Sequence, residues 1–582
     1  MSVQDHRFYR PPPSSVRQGR PITSTVSPWL RWASEAVWFV EHAFERAHAD
    51  ARPEEDTRVR IFVIQIVFAI VFSGLAIGAA YSALFTPRNG GGSTAAAGAL
   101  TRGDLTDRNG ALLATNVVHY GLYIDPSEVW DREAAFTEIR RALPRVPASK
   151  LRHALDGDRR QIVQPGLTPA ERQAVHALAL GGISFEPEDR RVYPLNASAA
   201  HLIGVADTGG QGVSGAELAF NDDIRAAGQR GQDFALSIDL RVQGVLENEL
   251  NAVASAVGAK GAVGVVADAR TGEILGMASW PTYDANRRGA ATDDQALNRV
   301  TSGHYEMGSV FKTITIAAAL DTGQADMNTM LDASQTYMIG SRPINDFHAA
   351  NKVLSLEEVY LHSSNIGTSR LAVEMTPQTM RDYFRCLGLL DAAPIELKES
   401  ARPRTPRDWS DSTRASLSFG YGIMITPLQM TAATVALVNG GLYRPLSLRR
   451  GGAGVEGRRV IRPETSAEIR QLMRANVLHS SGKQADAPGL HVGGKTGSAN
   501  KLVNGHYDPS YGLASFAAVF PSDGPTDTQR YVVFVLIDEP SQGSRLGGAI
   551  AAPVVGRVAD RIAPFLGLAR RFDPPATTVA AQ

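Results

Sequence analysis

Hydrophobic positions follow different rhythms in different parts of this 582-residue chain. From Ile61 to Phe85 they form one run, IFVIQIVFAIVFSGLAIGAAYSALF, without a charge and with Gln65 as its only strongly polar member. At ~1.5 Å per residue, a helix of that length crosses a hydrocarbon core of about 30 Å with some tilt. A cleaved signal peptide would be shorter and nearer the start, so the run predicts a retained transmembrane helix. Ahead of it, Trp29, Trp32, Ala33, Ala36, Val37 and Val40 begin a helical period that continues to Ala47. Such a stripe suits a helix lying on the inner membrane surface or on a partner, and equally a short cytoplasmic helix without a specific role.

Beyond the span the rhythm shortens. Strand-like runs such as VVHYGLYI alternate with a helical pattern from Pro169 to Leu180, and a second helical stretch opens near Ser237 and reaches about Ala256. Ala262 to Ala267 and Glu273 to Ser279 read as two apolar strands joined through the polar turn Asp268–Gly272, a hairpin. Two more strands, Leu513 to Phe520 and Tyr531 to Ile537, flank the turn-rich PSDGPTDTQR far downstream. Between these ends the pattern is helical, notably Val310 to Leu320, Leu356 to Leu361 and Gln429 to Val438, and a final helix is expected from Ala549 to Leu568. Strands at both ends with helices between predict an α/β domain whose sheet is closed by sequence-distant segments.

Charge then orients the chain. Arg46, Arg52, Arg58 and Arg60 lie close before the span, whereas only Arg88 and Arg102 follow at comparable distance. The positive-inside rule keeps the N-terminus in the cytoplasm and exports the remainder. The resulting layout is a cytoplasmic tail at 1–60, a membrane span at 61–85, a Gly/Ala/Ser linker at 86–99, a first exported domain at 100–239, a second at 260–570 and a tail at 571–582. Lys plus Arg and Asp plus Glu balance at 59 each, which argues against a nucleic-acid partner. The single cysteine, Cys386, excludes an internal disulfide and a cysteine-rich zinc site.

The chemistry concentrates in the second exported domain. Ser309-Val-Phe-Lys312 opens an apolar helical run and puts a hydroxyl and an amine on one face, about a turn apart. A serine needs a base to become a nucleophile, and a lysine can serve once burial and the helix N-terminus lower its pKa from about 10.4. The same backbone N–H groups can hold an oxyanion. By itself this motif decides nothing, because S-x-x-K recurs at Ser480–Lys483 and Ser498–Lys501, neither followed by a helical pattern. Ser363-Ser-Asn365 adds a hydroxyl and an amide with one residue between them. Lys495-Thr496-Gly497-Ser498 adds a cation and two hydroxyls around a residue with no side chain, where a substrate backbone can approach.

The ordered set S-x-x-K, S-x-N, K-T-G resembles the penicillin-binding proteins and serine β-lactamases. Its context narrows the resemblance to class B penicillin-binding proteins: Arg102-Gly-Asp-Leu-Thr-Asp-Arg-Asn-Gly110, His201-Leu-Ile-Gly204 and Gly212-Val-Ser-Gly-Ala-Glu217 look like their pedestal domain. Asp268-Ala-Arg-Thr-Gly-Glu-Ile-Leu275 and Pro281-Thr-Tyr-Asp-Ala-Asn286 look like the opening of their transpeptidase domain. Ser363-Ser-Asn-Ile-Gly367, Ser418-Phe-Gly-Tyr-Gly-Ile423 and Asp538-Glu-Pro540 are similar to the division-specific FtsI type. Two positions depart from the family pattern: Met307 stands where proline is common before Gly308, and Ser498 stands where threonine is frequent.

The resemblance implies a β-lactamase-like fold, an antiparallel sheet flanked by helices, behind a mixed α+β pedestal and one transmembrane helix. It implies a D,D-transpeptidase that needs no cofactor or metal and is inhibited by β-lactams. Ser309 would be the nucleophile, Lys312 its base, Ser363 a proton relay and Asn365 the holder of the donor amide. Lys495 would supply positive potential, and Thr496, Gly497 and Ser498 would receive the terminal carboxylate of a D-Ala-D-Ala stem peptide. The implied place is the inner membrane, single-pass, with a membrane glycan polymerase of the FtsW type and other division proteins as partners. An elongation-specific transpeptidase, a D,D-carboxypeptidase and a catalytically silent division scaffold are the alternatives.

Overall fold

The computed structural model describes residues 64–76, 102–452 and 454–572. Residues 64–76 are helical with every side chain exposed; the rest of the expected span, the 29–47 stripe, the 86–99 linker and the tail beyond 572 lie outside the described residues. Among the described residues no helix is long and apolar enough to cross a membrane.

The first domain is built on one long strand, Leu112–Ile124, rich in the β-branched and aromatic residues that suit a pleated surface. Ile183–Val192 and Gln161–Leu167 pair with it, both antiparallel. Leu105–Thr106 joins it on one side and runs parallel to Phe234–Ala235 on the other, so the start and end of the domain meet. The helix expected from Pro169 to Leu180 spans Pro169–His176, started by proline in its first turn and by a capping box between Thr168 and Glu171. A core of its own, including Leu122, Ile139, Leu151, Val163 and Leu167, fills the outer lobe.

The second domain carries a five-stranded antiparallel sheet with helices on both faces. Its strands are β1 (Gly261–Asp268), β2 (Ile274–Trp280), β3 (Gly493–Val503), β4 (His506–Phe520) and β5 (Tyr531–Asp538). Their order across the sheet is β3-β4-β5-β1-β2, so the first hairpin of the domain docks on strands more than two hundred residues later. Period-two alternation divides the sheet between two cores. Val532, Phe534 and Leu536 of β5 join the core that holds Lys312–Asp321 and Pro427–Val438, whereas Val533, Val535 and Ile537 face Leu240–Ala256 and Gly547–Ile562.

The expected hairpin, the two downstream strands and the helices at 310–320, 356–361 and 429–438 all form, most within a few residues of their expected ends, although the first downstream strand starts at His506 instead of Leu513. Two expectations change. The last helix stops at Ile562, two residues before Pro564, instead of reaching Leu568. The K-T-G segment, for which no strand is expected, is itself a strand and forms one edge of the sheet.

Candidate active site

Ser309 lies in a single 3₁₀ turn, Gly308–Phe311, that runs straight into the helix Lys312–Asp321. Gly308 has φ +59°, and a Cβ there would sit 2.7 Å from the Ser498 carbonyl oxygen, so both conformation and space call for glycine. Gly420, at φ +85°, closes on the other side: its Cβ would meet the Gly308 carbonyl at 2.4 Å. The turn is held between edge strand β3 and the 420–422 loop, with Ser309 half-buried and Lys312 fully buried.

Two amines converge on one hydroxyl. Lys312 Nζ donates to the carbonyl and, at 3.1 Å, to the Oγ of Ser363; Lys495 Nζ donates to the same Oγ at 3.1 Å. Ser363 has φ +56°, the left-handed region that a residue with a side chain enters only when its surroundings hold it there. The expected contact between nucleophile and base is not formed: among the described residues no hydrogen bond joins Ser309 Oγ to either lysine. Such contacts commonly tighten only with substrate in place. Burial, reinforced by the neighbouring Lys495, pushes the Lys312 amine well below the usual lysine range, with Asp346 pulling the other way. Burial alone lowers Lys495 to about 7. The ring of Tyr360, buried beside it, has its centroid 5.5 Å from Lys495 Nζ.

Asn365 begins the helix Asn365–Glu374, and Asp346, from a separate loop, organises that start. Its Oδ1 accepts from the backbone N–H of Asn365 (2.5 Å) and Ile366 (2.9 Å), and its Oδ2 accepts from Ser364 Oγ (2.7 Å). These are donors that a helix N-terminus leaves unpaired, so a carboxylate fits. The Asn365 amide donates to the Asn345 carbonyl at 2.9 Å.

Across the cleft, Gly497 lets β3 approach the nucleophile turn: a Cβ would lie 2.3 Å from Ser515 Oγ and 2.7 Å from the Met307 carbonyl oxygen and Val310 Cγ2. Thr496 Oγ1 shares a 2.7 Å hydrogen bond with Ser481 Oγ, and Ser498 Oγ accepts from the Gly547 N–H at 3.0 Å. Because β3, among the described residues, pairs only with β4, its outer edge remains available for an extended substrate backbone.

The Ser309 turn, Lys312, Ser363 and Lys495 thus meet in one place, with Thr496, Gly497 and Ser498 on the strand beside them and Asn365 one helical step beyond Ser363. The two other S-x-x-K matches do not form such a unit. Ser480 donates to the Leu361 carbonyl, and Lys501 pairs with Asp538 and Glu539. Asp346, Tyr360 and Ser481 contribute to the site without belonging to any of the three motifs. No local pattern marks them, because each acts on a residue brought in by the fold.

Comparison with known proteins agrees with this geometry. Residues 262–560 match the penicillin binding protein transpeptidase domain, and residues 99–229 match the penicillin-binding protein dimerisation domain. The chain is 52% identical to a probable peptidoglycan D,D-transpeptidase FtsI of Caulobacter vibrioides over 94% of its own length and 95% of the relative's. It is 34% identical to a probable peptidoglycan D,D-transpeptidase PenA of Neisseria gonorrhoeae, over 80% of this chain and 85% of that protein. Peptidoglycan D,D-transpeptidase FtsI of Escherichia coli K12 is 31% identical over 79% and 82%. The chain belongs to the penicillin-binding proteins, a serine transpeptidase domain carried behind a dimerisation domain.

Proposed function

We propose that this chain cross-links peptidoglycan stem peptides outside the cytoplasmic membrane through an acyl-enzyme on Ser309, for septal wall synthesis. The carrying observation is the pair of buried amines sharing the Ser363 hydroxyl beside the nucleophile turn. A buried amine with a depressed pKa is the form of lysine that can accept a proton near neutrality.

In this reading Ser309 Oγ attacks the carbonyl of the penultimate D-alanine, and its proton passes to Lys312. The backbone N–H groups of Ser309 and Ser498 hold the oxyanion. Ser363 relays a proton to the departing nitrogen, the C–N bond breaks, and the terminal D-alanine leaves as an amine while the ester remains. Asn365 orients the donor amide, Lys495 sets the local potential, and Thr496 and Ser498 hold the carboxylate while Gly497 leaves room for the peptide backbone. An amine of a neighbouring stem then attacks the ester, forms the new amide and returns the proton to Ser309. A β-lactam acylates the same oxygen, but its opened ring stays attached and blocks the second half.

For the layout we propose the cytoplasmic tail at 1–60, the span at 61–85, the linker at 86–99, the pedestal at 100–239, the transpeptidase domain at 260–570 and the tail from 571. The apolar helix at 64–76, exposed along its whole described length, and the arginines before it support a single-pass inner-membrane anchor with the catalytic domain in the periplasm. Its resemblance to the division-specific type supports an FtsW-type glycan polymerase and other division proteins as partners.

The test is labelling with fluorescent penicillin, wild type beside Ser309→Ala, Ser480→Ala and Ser498→Ala, with the adduct mapped by mass spectrometry. Label should vanish only in Ser309→Ala, and an adduct on another serine defeats the assignment.

A further inference from the structure

The arm formed by the tips of β3 and β4 is set apart from the rest of their ladder. Pairing is regular up to Asn500, opposite Gly512; at Lys501 the partner jumps to Asp508, so Pro509, Ser510 and Tyr511 drop out of register. At and beyond this irregularity the arm carries exposed apolar groups, Leu502, Tyr507 and Tyr511, and among the described residues no strand covers its outer edge. A bulge of this kind bends a hairpin and uncouples its tip from the sheet. Something must fix the tip over the site.

Glu306, three residues before Ser309, is placed to do so. It is buried, and its Oε1 accepts from the Gly422 N–H at 2.6 Å and from the Tyr507 hydroxyl at 3.0 Å. Tyr421, next to Gly422, completes a ring of contacts: its hydroxyl accepts from the Asn500 N–H at 3.0 Å, and its ring meets that of Tyr507 edge-on at 4.9 Å. The segment bearing Glu306 is itself tied to the 420s loop, since Tyr305 and Ile425 exchange backbone hydrogen bonds of 3.0 and 3.1 Å. One closed circuit therefore joins the nucleophile turn, the 420–422 loop, the base of the arm at Asn500 and its tip at Tyr507. Burial raises the carboxyl of Glu306 from its ordinary range, and its Oε2 is buried without a hydrogen-bond partner among the described residues, so the group gains little from its surroundings except this circuit.

We propose that Glu306 is a positioning residue, a latch that fixes the β3–β4 arm to the nucleophile turn and so sets the width of the cleft between Ser309 and the K-T-G strand. What the latch uses is an acceptor oxygen, not a negative charge. The proposal rests on Ser309 being the acylated serine, and the experiment separates the two ideas.

Acylation by fluorescent penicillin is followed in stopped flow, with the saturation constant and the limiting rate determined separately, for wild type, Glu306→Gln, Glu306→Ala and Tyr507→Phe. Hydrogen exchange of residues 501–511 is measured on the same proteins. Glutamine retains an oxygen for both donors, so Glu306→Gln should stay within about twofold of wild type in rate and exchange. Tyr507→Phe and Glu306→Ala should raise exchange in the arm about tenfold and lower the limiting rate to a similar degree, the scale of one hydrogen bond. Tyr507→Phe keeps the ring on Tyr421, so it should fold even where Glu306→Ala does not. Wild-type acylation together with wild-type exchange in Tyr507→Phe overturns the latch. So does a Glu306→Gln protein as slow as Glu306→Ala, which would make charge the active feature. Wild-type protein that takes no label at Ser309 overturns the underlying functional reading instead.

Discussion

Lys312 and Lys495 both donate to Ser363 Oγ at 3.1 Å, an arrangement that two full ammonium groups out of water would resist. One amine is most easily kept neutral, and Lys312, which burial and the neighbouring Lys495 push well below the usual lysine range, is the one that follows the nucleophile by one helical turn. Lys312→Arg keeps a cation but removes the ability to give up its proton near neutrality. The limiting acylation rate should fall by about 10²–10⁴-fold while circular dichroism stays native; a near-normal rate would assign the base elsewhere. Lys495 gives a separate, thermodynamic test. Burial lowers its amine to about 7 in the fold against an ordinary lysine value of 10.5, so between those values the unfolded chain binds the extra proton. Stability should therefore rise with pH across roughly 7 to 10.5, by at most about 1.4 kcal/mol per pH unit for one proton. Urea titrations of wild type and Lys495→Met over that window check this, and equal slopes in the two proteins would show that Lys495 does not carry the effect.

At the scale of elements, the sequence made the alternating strands and the long apolar helices readable, because burial on one or both faces dictates their composition. It left β3 unread. Gly493, Gly494 and Gly497 give that segment poor strand propensity, and the reason for them lies in other parts of the chain. A Cβ on Gly494 would meet Phe516 Cε1 at 2.2 Å, and one on Gly497 would meet Ser515, Met307 and Val310. The three motifs were legible as spacing, whereas Asp346, Ser481 and Glu306 were not, since each partner is supplied by folding. Asp346 reaches the N-H groups of Asn365 and Ile366 from a loop that no helical or strand period marks. The close approach at Gly497 predicts that Gly497→Ala pushes β3 away from the Ser309 turn, with overpacking of about 1–3 kcal/mol. Thermal melts should register that loss, and penicillin acylation should slow by at least about tenfold. Unchanged acylation in Gly497→Ala would mean that the strand tolerates displacement without consequence for the nucleophile.

At the scale of the whole molecule, the outer lobe of the first domain is separable from the chemistry of the second. The pedestal is bound to the transpeptidase domain through Arg108 and Glu273 (3.2 Å) and through backbone hydrogen bonds from Ser237 to Leu448 and from Asp239 to Leu275. Near that junction, Glu217 is fully buried between Arg102 and Arg191, so the inner part of the pedestal is stiffly tied. The outer lobe differs: Leu122, Ile139, Leu151, Val163 and Val175 form a core that shares no residue with the two that fill the transpeptidase domain and the inner pedestal. Its surface leaves Trp130 96% exposed and Ile162 40% exposed, apolar area that does nothing for the Ser309 site. Replacing the lobe at 120–185 with that of an elongation-specific relative should leave folding and penicillin labelling of Ser309 intact, because neither core is cut. It should nevertheless fail to restore constriction in cells depleted of the wild-type protein, which should grow as filaments, and the midcell signal of a fluorescent fusion should disperse. Loss of labelling in the chimera would show that the lobe supports the catalytic fold directly. If depletion instead yields round, swollen cells that still divide, with signal spread along the side wall, the protein serves elongation and the lobe selects that machinery.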